Sequence, residues 1–185
     1  MIGSLREAWQ GKFPGDTPDS LPSTRGNLTR ANFLRVMTAG ALAVGFGGVG
    51  KAASGTSSVP PVVDLDKFYD AWQERLNAGD LEGLVDLYVE DVTYVNSAGQ
   101  LLHGKAKVRK DFEGLLAIKP QIVLGNRQHV VYRDIVLTTN HWRMNFTNAD
   151  GIKQEMTGGG IEVIRKDTDG GWRFIIDDAS RSASK

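Results

Sequence analysis

The sequence predicts an α+β domain in which three N-terminal helices pack against one face of a cone-shaped, curved antiparallel sheet. Three observations carry this prediction. Two apolar stripes with a helical period lie before residue 90, four long segments with a period of two follow Pro120, and short Gly-, Asp- and Asn-rich breaks separate those segments. Helices followed by sequential hairpins are typical of the α+β class.

The first two helices are predicted from their caps and their apolar faces. Asp64 is suited to an N-cap, Gly79 to a C-terminal cap, and Asp80 to the N-cap of a second helix. The apolar stripe of the first helix is Leu65, Phe68, Tyr69, Trp72 and Leu76. The stripe of the second helix is Leu81, Leu84, Val85 and Tyr88.

A short strand and a third helix come next. The letters "VTYV", residues 92–95, indicate a strand, and "NSAG", residues 96–99, indicate a turn. His103 is expected in a loop before the third helix, which begins at Gly104. Pro120 marks the end of that helix, because proline cannot continue it.

Four strand candidates complete the domain. They are "QIVLGNRQHVVY", "IVLTTNHWRMNF", "IKQEMTGGGIEVIRK" and "WRFIIDDAS", and the breaks between them are short enough for hairpins. The glycine run 158–160 lies inside the third candidate and predicts a bulge or a sharp bend that curls the sheet.

Composition favours one domain behind a tail. The chain has 185 residues, 41% of them hydrophobic, and no net charge. Residues 1–55 hold six basic and three acidic residues, which leaves 16 basic and 19 acidic residues in 56–185. An acidic domain offers no basic face for nucleic acid, and the lack of cysteine excludes disulfides and thiolate chemistry. We therefore interpret 1–55 as a disordered n-region with an export signal and 56–185 as the folded domain.

The export signal is predicted from residues 25–55. Arg25, Arg30 and Arg35 precede an uncharged run, residues 36–50, and small residues follow it, which is the three-part layout of a secretory signal. The run is shorter than the roughly 20 residues of a spanning helix. We expect cleavage between Ala52 and Gly55 and no stable membrane span in the mature form. An uncleaved tail is the alternative.

The letters "TRANFLR" resemble the twin-arginine export motif. Arg30, Asn32, Phe33 and Leu34 match that motif, and Ala31 stands where its second arginine belongs. The resemblance implies an exported protein, periplasmic or extracellular, and the missing arginine leaves the export route open.

The folded part resembles a known superfamily. The segments that carry the resemblance are "AWQERLNAGDLEGLVDLYVEDVTYV", "HGKAKVRKDF", "RDIVLTTNHWRM" and "DGGWRFIIDDAS", which together span nearly all of residues 64–180. They look like the nuclear transport factor 2-like (NTF2-like, cystatin-like) cone, in its SnoaL-like and ketosteroid isomerase-homologue branch. The resemblance implies a cavity for a small apolar or aromatic molecule, chemistry without a cofactor, and a homodimer.

The resemblance also implies positions for a site. In ketosteroid isomerases of this fold a carboxylate near the end of the first strand is the base, and Asn96 occupies that position here. An amide orients a ligand but takes no proton near neutral pH. Many relatives carry histidine where Asp178 stands. Strand alternation places Asp178 on one face with Phe174 and Ile176, where desolvation would raise its pKa. A solvated strand end is the alternative.

His129 is the second candidate for acid/base chemistry. If residues 133–134 form a two-residue turn, His129 lies opposite Thr138 and on the face of Trp142, and His141 lies on the other face. The two histidines then cannot share a metal, so no metal is expected. The chain has no phosphate loop and no dinucleotide fingerprint, and no cofactor is expected either. A half-exposed structural histidine is the alternative.

The predicted function combines these residues. Asp178 and His129 form the predicted catalytic pair of an isomerase, dehydratase or cyclase that acts on a small apolar or aromatic substrate. The residues expected to line the cavity, each of which also fits an ordinary core, are Trp72, Tyr88, Tyr94, Asn96 and Trp142. The alternatives are a non-catalytic ligand-binding protein and a dimeric assembly module. The assembly module would use the outer sheet face, with Ile122, Leu124, Val130 and Tyr132.

Overall fold

The computed structural model describes residues 59–148 and 150–180. The predicted export signal and cleavage site therefore lie outside the described residues. The helices are α1 Leu65–Ala78, α2 Leu81–Asp86 and α3 Lys105–Ala117. The strands are β1 Tyr88–Val95, β2 Leu101–His103, β3 Gln121–Tyr132, β4 Ile135–Thr147, β5 Lys153–Lys166 and β6 Trp172–Asp178. No helix in this part of the chain is both long and apolar enough to cross a membrane.

The helix ends follow the predicted capping chemistry. Asp64 accepts a hydrogen bond from the backbone N–H of Asp66 at 2.9 Å, and Asp80 accepts one from Gly83 at 2.9 Å. These carboxylates satisfy backbone donors that the first turn of a helix leaves unpaired. Gly79 ends α1 with φ of 73°, in the left-handed region that glycine adopts at low cost. The predicted corner between α1 and α2 is confirmed.

All six strands form one curved sheet in the order β2-β1-β6-β5-β4-β3. The hairpins predicted from β3 to β6 are confirmed, and β1 and β6 form the one parallel pair of the described sheet. Two details were wrong. Tyr88 begins β1, opposite Phe174, because α2 ends at Asp86. His103 lies in β2, a strand of only three residues, and not in a loop.

Side chains of α1 hold β3, an edge strand, in place. The backbone N–H of Leu124 donates to Gln73 Oε1 at 2.7 Å, and that of Ile122 donates to Asn77 Oδ1 at 2.7 Å. The amide of Asn77 in turn donates to the carbonyl oxygen of Ile122 at 2.9 Å. These bonds satisfy edge groups that would otherwise face outward, and they fix the distance between helix layer and sheet.

The outer face of the sheet carries an aliphatic row. Cross-strand pairing places Val130, Leu137, Val163 and Ile176 side by side on β3, β4, β5 and β6, and we call these four residues the outer row. Val130, Leu137 and Ile176 are exposed. Tyr132 is also exposed.

The expectation that Ile122 and Leu124 lie on the outer face was wrong. Both side chains are buried. A register shift in β3 between Leu124 and Arg127 reverses the alternation of the strand, so residues before the shift point inward.

The glycine run of β5 accommodates its neighbours rather than forming a bulge. The pairing of β4 with β5 runs without a shift from Ile135↔Arg165 to Thr147↔Lys153, so the predicted bulge is absent from this ladder. A Cβ atom on Gly158 would overlap the indole of Trp142, and one on Gly160 would overlap Oε1 of Glu162. These glycines leave room for two large side chains on the inner face.

Candidate functional site

A cavity of about 190 Å³ lies between the helices and the inner face of the sheet. Its apolar wall comes from all layers of the fold. The aromatic residues that line it are Tyr69, Trp72, Tyr94, Phe112, Trp142 and Phe174. The aliphatic and thioether residues that line it are Leu115, Ile122, Leu124, Met144, Met156 and Ala179. The β1–β2 turn contributes Ser97 and Ala98.

Three carboxylic acids also line this apolar cavity, namely Asp111, Glu162 and Asp177. None of the lining residues, within 59–148 and 150–180, is lysine, arginine or histidine. A buried carboxylate without a cationic partner favours its protonated form, because burial penalises the charge. The cavity therefore raises the pKa of the carboxyl groups that line it.

Asp177 lies at the centre of this arrangement. It is 5% exposed and accepts a hydrogen bond from the hydroxyl of Tyr88 at 2.7 Å. The Tyr88 hydroxyl in turn accepts a hydrogen bond from Nε1 of Trp72 at 3.0 Å. This bond orients the proton of the Tyr88 hydroxyl toward Asp177. Burial, partly opposed by the Tyr88 bond, raises the pKa of Asp177 to about 7. Asp177 is thus poised both to take and to give a proton.

The structure places Asp177 in the cavity where the sequence pattern had placed Asp178. Val163 pairs with Ile176 but Ile164 pairs with Phe174, so β6 has one extra residue, a β-bulge. This bulge reverses the strand's alternation, and Ile176 is exposed. Asp178 does not line the cavity.

The carboxylate of Asp178 instead closes the end of β6. It accepts hydrogen bonds from the backbone N–H and the hydroxyl of Ser180, at 3.0 and 2.5 Å. The expectation that Asp178 shares the inward face of Phe174 was therefore wrong.

Glu162 lies opposite Asp177 on the neighbouring strand. Nδ2 of Asn140 donates to both of its carboxylate oxygens, at 3.0 and 3.1 Å. The hydroxyl of Tyr69 lies 3.5 Å from Oε2. Burial and the nearby charge of Asp177 raise the pKa of Glu162 well above its usual value. Glu162 therefore holds its proton more tightly than an exposed glutamate does.

Asp111 is held by side chains of β1 and of the β1–β2 turn. The hydroxyl of Tyr94 donates to it at 3.1 Å, and Nδ2 of Asn96 donates at 2.8 Å. Burial raises the pKa of Asp111, and these two bonds oppose the rise. Oδ1 of Asn96 also accepts from the backbone of Ala98 and Gln100, at 3.1 and 3.0 Å. Asn96 therefore shapes the β1–β2 turn and orients Asp111.

Four of the five predicted ligand-binding residues line the cavity: Trp72, Tyr94, Asn96 and Trp142. Tyr88 is fully buried behind the wall, where it links Trp72 to Asp177.

His129 is half-buried and lies outside the lining. It faces Thr138 as the two-residue turn predicted, with Nδ1 2.9 Å from the Thr138 hydroxyl. The structure thus does not bring His129 and Asp178 together in the cavity.

Glu162 and Asp177 were missed for different reasons. Glu162 follows Gly158 and Gly160 at a spacing of two, on the inward face of β5, so strand alternation alone could have identified it. Asp177 was missed because its sequence context gives no sign of the bulge.

Five residues with polar side chains form a continuous line on the inner face. Strand pairing connects His129, Thr138, Glu162, Asp177 and Tyr94, one from each of β3, β4, β5, β6 and β1. We call them the inner row. Within the described ranges, no group of three histidine, aspartate or glutamate side chains is arranged to hold a metal ion. The chemistry that these groups support is proton transfer between carboxyl groups and a molecule in the cavity.

Comparison with known proteins agrees with this architecture. A family model for the SnoaL-like domain matches residues 65–178. No curated protein matches the chain closely enough to count as a relative.

Three solved structures illustrate the similarity. A candidate dehydratase of the NTF2-like family from Streptomyces avermitilis is 19% identical with a TM-score of 0.55, over 62% of this chain and 90% of that one. A candidate scytalone dehydratase from Novosphingobium aromaticivorans is 15% identical with a TM-score of 0.56, over 62% and 78%. A candidate calcium/calmodulin-dependent protein kinase II association domain from Xanthomonas campestris is 21% identical with a TM-score of 0.56, over 62% and 84%. At such identities the similarity establishes the fold alone.

Proposed function

This chain belongs to the SnoaL-like domain family, and from that premise we propose that it is an acid/base enzyme of the isomerase, dehydratase or cyclase type. The observation that carries the proposal is the pair of buried carboxyl groups, Glu162 and Asp177, that line an aromatic cavity. Two solved structures of the same fold are named as candidate dehydratases, which fits this class of chemistry.

The environments of the two carboxyl groups give them different roles. Asp177 has a pKa of about 7 and is the base, because near neutral pH a large fraction of it is ionised. Burial and the charge of Asp177 raise the pKa of Glu162 well above its usual value, so we assign Glu162 as the acid. Two titratable groups with separated pKa values are the usual signature of such an assignment.

Isomerases, dehydratases and cyclases of this type share one step. A base removes a proton from a carbon next to a carbonyl group, and an acid donates a hydrogen bond or a proton to the carbonyl oxygen. Here Asp177 takes the proton and Glu162 stabilises the oxygen as it gains negative charge. No lysine, arginine or histidine side chain lines the described cavity, and the neutral carboxyl group of Glu162 is the donor that we assign to this stabilisation.

The cavity also defines the chemical class of the substrate. A cavity of about 150 Å³ holds benzene, so 190 Å³ suits a molecule of one or two rings. Three carboxyl groups and no cationic side chain line it, so a carboxylate or phosphate on the buried part of a ligand would be unpaired and repelled. We expect a neutral, mainly apolar ligand with carbonyl or hydroxyl groups. Bound 2-naphthol and excluded 2-naphthoate would agree with this expectation.

The activity can be tested with 2-tetralone, a neutral two-ring ketone. NMR in deuterated buffer would follow deuterium incorporation next to its carbonyl group. We expect wild-type protein to accelerate exchange, and Asp177→Asn and Glu162→Gln to lower that rate by on the order of 10²- to 10⁴-fold. The matched control, Asp178→Asn, should keep the activity. In Asp178→Asn the exchange rate should begin to rise at a lower pH than in wild type, because the charge of Asp178 helps raise the pKa of Asp177.

Binding of 2-tetralone without any exchange above buffer would contradict the catalytic proposal and favour a non-catalytic binding protein. Exchange that survives both Asp177→Asn and Glu162→Gln would contradict the assignment of the residues. Export remains a separate proposal that rests on the arginines and the uncharged run of residues 25–55. Sequencing the N-terminus of protein recovered from its host would test it, since we expect a start between Ala52 and Gly55.

A further inference from the structure

A chain of hydrogen-bonding side chains connects Glu162 with half-buried His129. Nδ1 of His129 lies 2.9 Å from the hydroxyl of Thr138. Thr138 is fully buried and bonds the hydroxyl of Tyr69. The Tyr69 hydroxyl lies 3.5 Å from Oε2 of Glu162. Three of these residues belong to the inner row, and Tyr69 reaches them from α1.

Every proton in this chain points toward the cavity. The Tyr69 hydroxyl directs its one proton to Oε2 of Glu162, so it accepts from Thr138, its other side-chain partner. A threonine hydroxyl has one proton. Because Thr138 directs that proton to Tyr69, it must accept a hydrogen bond from His129. Neutral His129 is therefore protonated on Nδ1, and Nε2 is left without a proton.

We propose that His129, Thr138 and Tyr69 form a proton relay that resupplies Glu162 from outside the cavity. One proton passes along the relay in four transfers. Nε2 of His129 takes a proton from solvent, and Nδ1 gives its proton to Thr138. Thr138 gives its own proton to Tyr69, and Tyr69 gives its own to Oε2 of Glu162. His129 is left neutral with a proton on Nε2, and ring and hydroxyl rotation restores the starting state.

The charges around both ends favour transfer into the cavity. Burial and the positive charge of Arg127 lower the pKa of His129, and Asp66 opposes them, so imidazolium gives up its proton readily. Nη2 of Arg127 forms an ion pair with Oδ1 of Asp70 at 2.9 Å. Cζ of the same arginine lies 5.7 Å from the centre of the Tyr69 ring. At the inner end, burial raises the pKa of Glu162.

The relay has a use only when a ligand fills the cavity. Glu162 then has no direct access to water through the cavity, and Thr138 and His129 lie outside the lining. The 3.5 Å separation of Tyr69 and Glu162 is longer than the usual O–H···O distance. A small approach of these two side chains is therefore needed for transfer. This use rests on the proposed role of Glu162 as the acid.

The direction of the chain can be measured in the ligand-free protein. Nitrogen-15 NMR at a pH at which His129 is neutral reports which ring nitrogen carries the proton. We expect Nδ1–H in wild type and Nε2–H in Thr138→Val. In Tyr69→Phe the Thr138 hydroxyl loses its acceptor and turns to donate to Nδ1, so the tautomer should also change to Nε2–H. Thr139→Val, on the opposite face of β4, is the matched control and should leave His129 unchanged.

A second measurement tests the flow of protons. In the 2-tetralone assay a solvent deuteron must replace the proton that Asp177 takes, and the relay reaches Asp177 through Glu162, which lies opposite it. Thr138→Val should therefore lower the exchange rate by on the order of 10²-fold. Thr138→Val should leave the 2-tetralone concentration for half-maximal rate unchanged, because Thr138 does not line the cavity. Nε2–H in wild type, or an unchanged tautomer in Tyr69→Phe, would overturn the relay. A tautomer that behaves as expected in a protein without exchange activity would leave the chain intact and refute the proposed function instead.

Discussion

Glu162 and Asp177 lie directly opposite each other on β5 and β6, and each side chain is only 5% exposed. Two carboxylates that face each other in a buried site cannot both ionise easily, because each charge disfavours the other and burial disfavours both. The charge of Asp177 is accordingly one of the causes that raise the pKa of Glu162. The pair therefore binds a proton more tightly than a single exposed carboxylate does.

The stability of the fold should decrease as the pH rises from about 4 to above 7. Asp177 has a pKa of about 7 in the folded protein against an ordinary value of 3.8, so the folded state binds its proton more tightly than the unfolded state does. Stability is then fully present at low pH and is lost as the pH rises through the folded value, by on the order of 4 kcal/mol. Urea unfolding across this pH range would measure the loss.

Asp177→Asn should remove the part of this pH dependence that Asp177 contributes, since the amide does not titrate. The raised pKa values of Glu162 and Asp111 should leave a smaller decline of the same sign. Glu113→Gln, which changes an exposed residue of α3, is the control and should keep the wild-type profile. An unfolding free energy that rises between pH 4 and 7 in the wild type would contradict the assignment of Asp177 as a buried carboxyl group.

Tyr88→Phe should raise the pKa of Asp177 further. The Tyr88 hydroxyl donates to Asp177 at 2.7 Å and opposes the effect of burial. The variant also leaves Nε1 of Trp72 without its acceptor. We therefore expect the free energy of unfolding to fall by about 1 kcal/mol for each of the two hydrogen bonds that are lost. Carbon-13 NMR titration of the aspartate carboxyl groups would measure the shift. Tyr132→Phe, on the exposed end of β3, is the control, and a downward shift in Tyr88→Phe would refute the role assigned to the hydroxyl.

Most of the fold could be predicted from the sequence because it depends on local signals. Asp64 and Gly79 bound α1, and the alternation and turn residues bound β3 to β6 almost to the residue. The start of β1 could not be predicted in this way. Tyr88 continues the helical stripe of α2, and only its pairing with Phe174, distant in sequence, draws it into the sheet.

The site was predicted less well because it depends on register. The turn at residues 133–134 fixed the pairing of His129 with Thr138, since a two-residue hairpin leaves one choice. Neither the bulge in β6 nor the shift in β3 has a signal in the letters around it. A single extra residue in β6 was enough to exchange Asp178 for Asp177.

We propose that the outer row is the contact surface of a homodimer, as the family resemblance implied. Val130, Leu137 and Ile176 are 64%, 40% and 43% exposed, and they form an unbroken aliphatic line across four strands. A second copy related by a twofold axis would cover the same row with itself. Leu137→Lys should therefore give a monomer in sedimentation velocity experiments, and Thr139→Lys, beside the row, is the control. A wild-type protein that stays monomeric at high concentration would refute this proposal.

Alanine substitutions at two glycines of β5 should affect stability and activity differently. Gly158→Ala places a methyl group against the rigid indole of Trp142, so we expect a loss of roughly 1–3 kcal/mol in the free energy of unfolding. Gly160→Ala meets a carboxylate at the end of a flexible side chain, which can rotate away. Glu162 would then lose its bonds from Asn140, and the exchange activity should fall more than the stability does.

Urea unfolding and the 2-tetralone assay on the same preparations would compare the two glycine variants. Thr157→Ala, an exposed neighbour on β5, is the control for both measurements. The proposed site requires the exchange activity of Gly160→Ala to be as low as that of Glu162→Gln. Its free energy of unfolding should stay close to the wild-type value. Full activity in Gly160→Ala would show that the position of the Glu162 carboxylate does not matter for the reaction, and the acid would have to be sought at Asp111, the third carboxyl group of the cavity.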